Sequence, residues 1–401
     1  MSIFPVELIE DIIAHIYGEY RRLEKPVVLY QCALVCRTWR TISQSFIFSE
    51  ILLSPNLHDA KLEILRGNSY LSLCVRTLWL GYNGGVDGGE EFLNLLPKVR
   101  ELYILEYGLF SSLLKGPSSE GFLKNLTSLG LEGSATPFPV QLFYYCYSLR
   151  ELKIRKAVVK NDSIQNLPSN GPVSRLRSIH ISGDASSHME ILQWMLTPQS
   201  PFDLTALTTF RTSDRSDELE TYTLIQEVVG LCAPTLQDIM IDPPTCLAIQ
   251  NPSLTPGSLL YPSTLSNLRV ITISVIYEVS DHTNFIPWMT TFFSLLPISN
   301  RLEEIRIPCI FRDYIDELEE GRIQMDLYGW EALDTTLTSG HLRLKRVAFA
   351  ICKYGPGNSE ILGSLLRESL PRLNENGILD VEISTALGYM SEDDCWWRVT
   401  S

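Results

Sequence analysis

Two cysteines, a tryptophan and two arginines occur within nine residues near the start of the chain, in the segment CALVCRTWR from Cys32 to Arg40. Cysteine thiolates bind zinc or act as nucleophiles, and arginine with tryptophan is a common combination at nucleic-acid contacts. The segment is therefore compatible with a metal site, a thiol site, a nucleic-acid contact or a helix that is held by another protein.

The four-residue spacing of Cys32 and Cys36 would place both thiols on one face of a helix, as two zinc ligands. Two further ligands are needed, and the sequence has no other Cys or His pair with metal-ligand spacing. We therefore expect no metal or other cofactor and interpret both cysteines as small buried apolar side chains. A cysteine nucleophile would need a basic partner that the fold brings to it, and no residue pattern indicates one.

Other catalytic signatures are also missing from the sequence. It contains no G-x-S-x-G elbow, no P-loop and no H-E-x-x-H, and the glycines of GYNGGVDGG do not follow the dinucleotide-binding order G-x-G-x-x-G. The acidic runs DELEEGR at 316–322 and SEDDCWW near the end are typical of solvated loops. These observations favour an interaction protein over an enzyme.

The net charge and the hydropathy of the chain indicate which classes of partner and which locations to expect. The net charge of −14 over 401 residues argues against a sequence-independent hold on nucleic-acid phosphates. No stretch approaches the roughly 20 apolar residues of a membrane span, and Glu7, Glu10 and Asp11 interrupt any signal-like core at the start. Nine scattered cysteines suit a reducing compartment. We expect a soluble intracellular protein, cytoplasmic or nuclear or both, without nucleic-acid or membrane partners.

Three short helices are predicted before residue 50. Apolar residues recur at helical spacing after Pro5, which fits the first turn of a helix. A second helix is expected from Val28 through Cys36, and a third carries Trp39, Ile42 and Phe46.

A short apolar motif then recurs along the rest of the chain. Its form is apolar-x-x-apolar-x-apolar, as in VRTLWL and LRELKI, and only LTTFRT departs from it by ending in Thr212. The motif begins at residues 75, 99, 126, 149, 176, 207, 236, 268, 302, 344 and 378. Segments with helical spacing that end near a proline lie between several copies, as in SSHMEILQWMLTP and ETYTLIQEVVGLCAP. Strand-helix repetition of this kind predicts an α/β solenoid of parallel strands with outer helices.

The repeats resemble leucine-rich repeats over roughly residues 70–390. The full L-x-x-L-x-L-x-x-N pattern with its asparagine is met only from Val75 to Asn83, and Cys352 stands in the corresponding place of a later repeat. We therefore expect an irregular solenoid without a regular asparagine ladder. A doubly wound sheet with a nucleotide site is the alternative fold, and it lacks its glycine fingerprint here.

The N-terminal segment resembles an F-box. The matching residues are Pro5, Glu7, Leu8, Ile12, Ile13, Ile16, Ala33, Leu34, Val35, Cys36, Arg37 and Trp39, whereas Phe4 replaces the leucine usual in that family. This resemblance implies docking onto the Skp-type linker subunit of a cullin ubiquitin ligase, with the C-terminal domain holding a protein substrate. It divides the chain into an F-box at 1–50, a helical linker at 51–69 and a repeat domain at 70–401.

The resemblance also implies which residues touch the linker subunit. These are Pro5, Leu8, Ile12, Leu34, Val35, Cys36 and Trp39. Trp39 has two interpretations, as an anchor in the partner or as a core residue of the three helices. The role of the whole chain also has alternatives: a scaffold whose F-box does not deliver substrates to degradation, or an enzyme with a cryptic site in the repeats.

Strand alternation predicts a second binding surface on the repeats. The motif's apolar positions point inward, and the residue between the last two of them faces the concave side of the sheet. The residues nominated for substrate binding by this rule are Trp79, Tyr103, Lys153, His180, Arg211, Met240, Thr272 and Arg306. An exposed Trp79 and Tyr103 on neighbouring strands would form an anchor pair. The alternative is that both rings are covered.

Overall fold

The computed structural model of the chain describes residues 5–19, 27–53, 58–81, 89–105, 117–160, 173–183, 185–214, 219–242, 260–277, 285–312, 329–339, 342–354 and 359–385. Phe4, the acidic run at 316–322 and the segment after 385 lie outside these residues. The chain forms two compact units, residues 1–174 and 175–401. The boundaries expected at residues 50 and 69 stay predictions.

Three helices open the first unit: α1 (Val6–Glu19), α2 (Val27–Val35) and α3 (Arg37–Ile47). Helix α1 begins directly after Pro5 and carries Glu7 in its first turn, where a negative charge favours the positive end of the helix dipole. Cys36 separates α2 from α3, because its backbone is extended with φ −160° and ψ 177°.

Strands and short helices alternate through the rest of the first unit. They are β1 (Glu50–Leu53), α4 (His58–Gly67), α5 (Ser69–Cys74), β2 (Thr77–Leu80), α6 (Gly89–Leu95), β3 (Glu101–Ile104), α7 (Pro117–Leu123), β4 (Ser128–Pro139), a 3₁₀ helix (Val140–Tyr145) and β5 (Glu151–Lys160). The two-residue strand β6 (Ser174–Arg175) lies at the division between the units.

Five parallel strands of the first unit pair in chain order, β1-β2-β3-β4-β5. The register aligns Leu78, Leu102, Leu129 and Leu152 across β2 to β5, and all four side chains are buried. Because side chains alternate along a strand, the residues beside these leucines lie on the other face of the sheet. This second face carries the nominated residues Trp79, Tyr103 and Lys153.

The second unit continues the alternation of strands and helices. Its elements are β7 (Ser178–Gly183), α8 (Ala185–Leu196), β8 (Phe202–Asp203), a 3₁₀ helix (Leu204–Ala206), β9 (Thr209–Asp214), α9 (Leu219–Cys232), β10 (Asp238–Ile241), a 3₁₀ helix (Pro262–Thr264), β11 (Val270–Ile273), β12 (Val275–Tyr277), α10 (Ile286–Ser294), β13 (Glu304–Arg312), α11 (Trp330–Thr338), β14 (Arg346–Tyr354), α12 (Ser359–Ser369), α13 (Pro371–Glu375) and β15 (Leu379–Thr385).

The strands of the second unit are also parallel. They pair in the order β7-β9-β10-β11-β13-β14-β15, and β12 pairs with β13 as well. Helices α8, α12 and α10 carry large buried side chains such as Trp194, Leu366 and Phe292. The chain is thus an α/β protein with parallel sheets and helices packed against them, as the strand-helix repetition predicts.

Each of the eleven copies of the apolar motif becomes a strand of these sheets. Ten of the eleven strands begin two residues after the motif begins, and β15 begins one residue after. The irregular position Thr212 stays buried at the inner face, where its hydroxyl lies 3.5 Å from His188 Nε2. Thr212, the one polar residue at an apolar motif position, therefore has His188 as a polar neighbour.

Candidate protein-binding surfaces

The three N-terminal helices enclose a small apolar core. It consists of Ile9, Ile13, Leu29, Ile42 and Ile47. Half-buried residues that pack against this core include Ile16, Tyr17, Trp39, Phe46 and Phe48. Trp39 therefore contacts the core of the three helices, which favours the second of its two interpretations.

Helix α2 is apolar on every side, but only Leu29 and Cys32 are buried. Its remaining large side chains face solvent; Leu34 is 78% exposed and Val35 is 64% exposed. A helix that is hydrophobic all round is typical of a buried position. The sequence of α2 predicts burial on all sides, but its outer side is exposed to solvent.

Helix α1 also carries exposed apolar side chains. We call the exposed apolar side chains of the two helices the α1/α2 surface: Val6, Leu8, Ile12, Val27, Val28, Tyr30, Leu34 and Val35. Of the seven residues expected to bind a linker subunit, Leu8, Ile12, Leu34 and Val35 belong to this surface, and Pro5 is exposed beside it. Val6, Val27, Val28 and Tyr30 were not predicted to belong to a binding surface, although their apolar character was a usable signal.

The two cysteines of the opening segment do not share a helix face. Cys32 lies in α2 and is buried, whereas Cys36 is exposed in the junction before α3. The expected placement of both thiols on one helix was wrong, because α2 ends at Val35 and the extended backbone of Cys36 turns its side chain away. The interpretation of Cys36 as a buried packing residue was also wrong.

An aromatic pair lies on the second face of the first unit's sheet. Trp79 and Tyr103 are opposite each other on β2 and β3, and their rings are stacked with centroids 4.1 Å apart. Tyr103 is buried and Trp79 is half-buried, which favours the alternative that the rings are covered over an exposed anchor pair. Lys153 Nζ lies 5.7 Å from the centre of the Tyr103 ring and pairs with Glu151 at 2.8 Å. A cation of the protein itself already contacts this ring.

Glu50 connects the helices to this aromatic pair. Its Oε2 accepts a hydrogen bond from the Tyr17 hydroxyl of α1 at 3.2 Å, and its Oε1 accepts one from the Trp79 indole N–H at 2.5 Å. The carboxylate is buried at the start of β1. Neither β1 nor Glu50 was foreseen, because EILL lies before the first copy of the repeat motif and no local signal marks the pairing.

We predict that Glu50→Ala lowers the free energy of unfolding by about 2 kcal/mol, because two half-buried donors lose a charged acceptor. Glu50→Gln is the matched control and should cost less than half as much. Its amide oxygen can still accept from Trp79, and its NH₂ group can donate to the Tyr17 oxygen. Urea unfolding of both variants measures the difference. Equal losses would show that the negative charge, and not the shared acceptor, stabilises this region.

The nominated residues of the second unit form one row across its sheet. The register aligns His180, Arg211, Met240, Thr272 and Arg306 on five successive strands. The middle of this row is closed to solvent, because Met240 is 1% and Thr272 is 0% exposed. His180 is buried too. The five residues share one face of the sheet, but these three do not present a free binding surface.

The charged residues of that row are paired within the sheet. Arg211 contacts Asp238 at 2.7 Å, and Arg306 contacts Glu304 at 3.0 Å. The hydrogen bond from Arg306 lowers the pKa of the Glu304 carboxyl, and Arg346 lowers it further. The guanidinium groups of Arg211 and Arg306 are thus neutralised by carboxylates of the same protein.

Arg346 extends this charge network to the last strand. Its guanidinium contacts Asp380 at 2.6 Å, Glu382 at 2.5 Å and Glu304 at 3.1 Å. The hydrogen bond to Asp380 is the main reason that the pKa of Arg346 is raised. Side-chain exposure increases along the network from Glu304 to Glu382, so its accessible end lies on β15.

Three buried cysteines have unreactive thiols. Burial raises the pKa of Cys146 and of Cys232 to about 12, and it also raises the pKa of Cys309. Thiolates are scarce at neutral pH for such groups, and the thiolate is the nucleophilic form.

Within the described ranges, no cluster of three or more His, Cys, Asp or Glu side chains has the arrangement of a metal site. A cavity of about 10 Å³ lies in the second unit among Thr212, Thr221, Ile225, Ile241 and Trp288. This volume has room for about one water molecule. No helix of the described residues is long and apolar enough to cross a membrane.

Comparison with known proteins finds similarity to solved structures. No protein-family model matches the chain, and no curated protein matches it. Among solved structures, the crystal structure of a TLR13–ssRNA13 complex matches over 69% of this chain with 11% identity and a TM-score of 0.29. The match spans 39% of that chain, so most of that protein has no counterpart here.

Proposed function

We propose that the chain is the substrate-recognition subunit of an SCF-type cullin ubiquitin ligase. Helices α1 to α3 act as an F-box that docks on the Skp-type linker subunit, and the leucine-rich-repeat-like sheets bind a protein substrate. The observation that carries the proposal is helix α2, which is apolar all round and exposes Leu34 and Val35 to solvent. Ubiquitin transfer belongs to other subunits of the complex.

The energetics of the three helices support a docked state. Among the residues that the structure describes, their core contains five buried aliphatic side chains, which is little for a self-contained module. Complete burial of a Leu or Val side chain contributes on the order of 1.5–3 kcal/mol, and Leu34 and Val35 retain most of that contribution for a partner. A partner with an apolar groove would complete a core that these helices form only on one side.

The charged residues around the α1/α2 surface indicate which charges would border the groove of the partner. Glu7, Glu10 and Asp11 are exposed on α1, and Arg37 and Arg40 are exposed on α3. A complementary partner would present basic groups beside α1 and acidic groups beside α3, because matched potentials favour one docking orientation.

Co-expression with a Skp-type linker subunit and a cullin tests the proposal. We expect the full chain to capture the linker subunit and, through it, the cullin. Failure to capture the linker subunit in a well-folded preparation would overturn the proposal. Capture of the linker subunit without the cullin would instead favour the scaffold alternative, in which no substrate is passed to ubiquitin transfer.

A further inference from the structure

The residues directly before strands β2 to β5 lie at one edge of the sheet and form a column. Arg76, Arg100, Thr127 and Arg150 precede β2, β3, β4 and β5. Their backbones are joined by hydrogen bonds from Arg100 N to Arg76 O at 2.8 Å, from Thr127 N to Arg100 O at 2.7 Å, and from Arg150 N to Thr127 O at 2.9 Å. Neighbouring members are therefore about one strand spacing apart, roughly 4.8 Å.

The three arginines of this column are exposed and carry no ion pair with any residue that the structure describes. Arg76 Nη1 donates to Leu73 O and Arg100 Nη1 donates to Asn125 O, both at 3.2 Å. A guanidinium has five N–H donors, so most donors stay available. Lys98 and Lys124 are exposed nearby. The charge of this edge is thus opposite in sign to the net charge of −14 of the chain.

The second unit has the same column with a different middle residue. Arg269, Glu303 and Lys345 precede β11, β13 and β14, and hydrogen bonds of 2.9 and 2.8 Å join their backbones. Glu303 contacts both neighbouring cations at 3.1 Å. Hydrogen bonds from Lys345 and from Arg269 lower the pKa of its carboxyl. A carboxylate between two cations of this column is thus a geometry that the protein itself uses.

We propose that the column of Arg76, Arg100 and Arg150 binds a short acidic peptide segment. A carboxylate of the peptide lies over Thr127, between Arg100 and Arg150, in the way that Glu303 lies between Arg269 and Lys345. The column from Arg76 to Arg150 spans three strand spacings, roughly 14 Å, which matches about four extended residues. This site does not depend on the docking of α1 and α2, and it places a protein contact at the sheet edge.

A peptide fits this site better than a nucleic acid does, because the basic edge is short and bordered by carboxylates. Glu101 and Glu151 follow Arg100 and Arg150 directly on the sheet face, and Glu120 is exposed on α7. A longer polyanion would extend past the column and meet these negative charges. Arginine also pairs with a carboxylate through two parallel N–H donors.

The test uses the full chain and a fluorescein-labelled hexapeptide of alternating Glu and Asp, with binding followed by fluorescence anisotropy at low salt. Thr127→Glu places a carboxylate where Glu303 stands in the second unit and should weaken peptide binding about tenfold or more. Thr127→Gln has similar size without charge and should bind within about twofold of the native chain. Thr127 is half-exposed, so both variants should fold.

Glu303→Thr provides the reciprocal experiment, because it frees Arg269 and Lys345 and should add a second, independent peptide site. Three results would overturn the proposal: no binding of the hexapeptide by the native chain, equal loss in Thr127→Glu and Thr127→Gln, or tighter binding of a labelled uridine hexanucleotide than of the peptide. The last result would reassign the edge to nucleic acid.

Discussion

Leu34→Lys should abolish capture of the Skp-type linker subunit while leaving the chain folded. Leu34 is the most exposed side chain of the α1/α2 surface, at 78%, and it lies one residue before the end of α2. A lysine there is compatible with the negative end of the helix dipole, and it would bring a charge into an apolar groove. We expect binding to weaken by about 100-fold, corresponding to roughly 3 kcal/mol, with stability changed by less than about 0.5 kcal/mol.

Ile298→Lys is the matched control for this experiment. Ile298 is 85% exposed, but it lies in the second unit, outside the α1/α2 surface. It should bind the linker subunit as the native chain does. Isothermal titration with purified linker subunit measures the affinities, and urea unfolding checks the fold. Equal binding by the native chain and Leu34→Lys would remove α2 from the interface.

Trp39→Ala should behave differently from Leu34→Lys, because Trp39 packs against the core of the three helices. Its truncation should lower stability by about 3 kcal/mol, and any loss of binding should follow the loss of helix. The two substitutions therefore separate a contact residue from a core residue. Whether Trp39 contacts the partner or the core depends on the rotation of α3 about its axis, and the spacing of residues in the sequence does not determine that rotation.

The strands of the repeats could be predicted because their signal is local. Alternation within six residues such as VRTLWL determines which side chains face the core, and every copy of the motif became a strand. Local sequence does not determine whether a side chain on the other face of the sheet is exposed. Met240 and Thr272 lie at the motif position predicted to be exposed, yet both are closed to solvent, and the pairing of Arg211 with Asp238 joins residues 27 positions apart.

The same distinction between local signals and long-range contacts explains which surface features could not be predicted from the sequence. Cys36 was placed on the second helix because CALVC is continuously apolar, but its extended backbone ends that helix at Val35. The arginines at 76, 100 and 150 recur at one motif position, so their alignment was visible in the sequence. Glu303 neutralises its column through ion pairs with residues of the two neighbouring repeats. Such contacts between repeats cannot be predicted from the sequence of a single repeat.

Gly130→Ala should destabilise the chain by about 1–3 kcal/mol, although alanine is normally tolerated in a strand. Gly130 lies opposite Tyr103 in the register, and a Cβ atom added to it would lie 2.3 Å from Tyr103 Cδ1 and 2.8 Å from Cε1. The ring cannot retreat toward β2, because Trp79 is stacked on it at 4.1 Å and is held by its hydrogen bond to Glu50. Urea unfolding and near-ultraviolet circular dichroism measure the loss of stability and of ring packing.

Tyr103→Ala decides whether this steric conflict is the cause. In that background the added Cβ has no ring to meet, so Gly130→Ala should become neutral or stabilise by a few tenths of a kcal/mol through reduced entropy of the unfolded chain. Gly121→Ala is the control within the same unit, because no described heavy atom outside its own helix backbone and chain neighbours lies within 4 Å of its added Cβ. In helix α7 it should stabilise by about 0.5–1 kcal/mol. If Gly130→Ala costs the same with and without the Tyr103 ring, the backbone and not the aromatic stack requires glycine at this position.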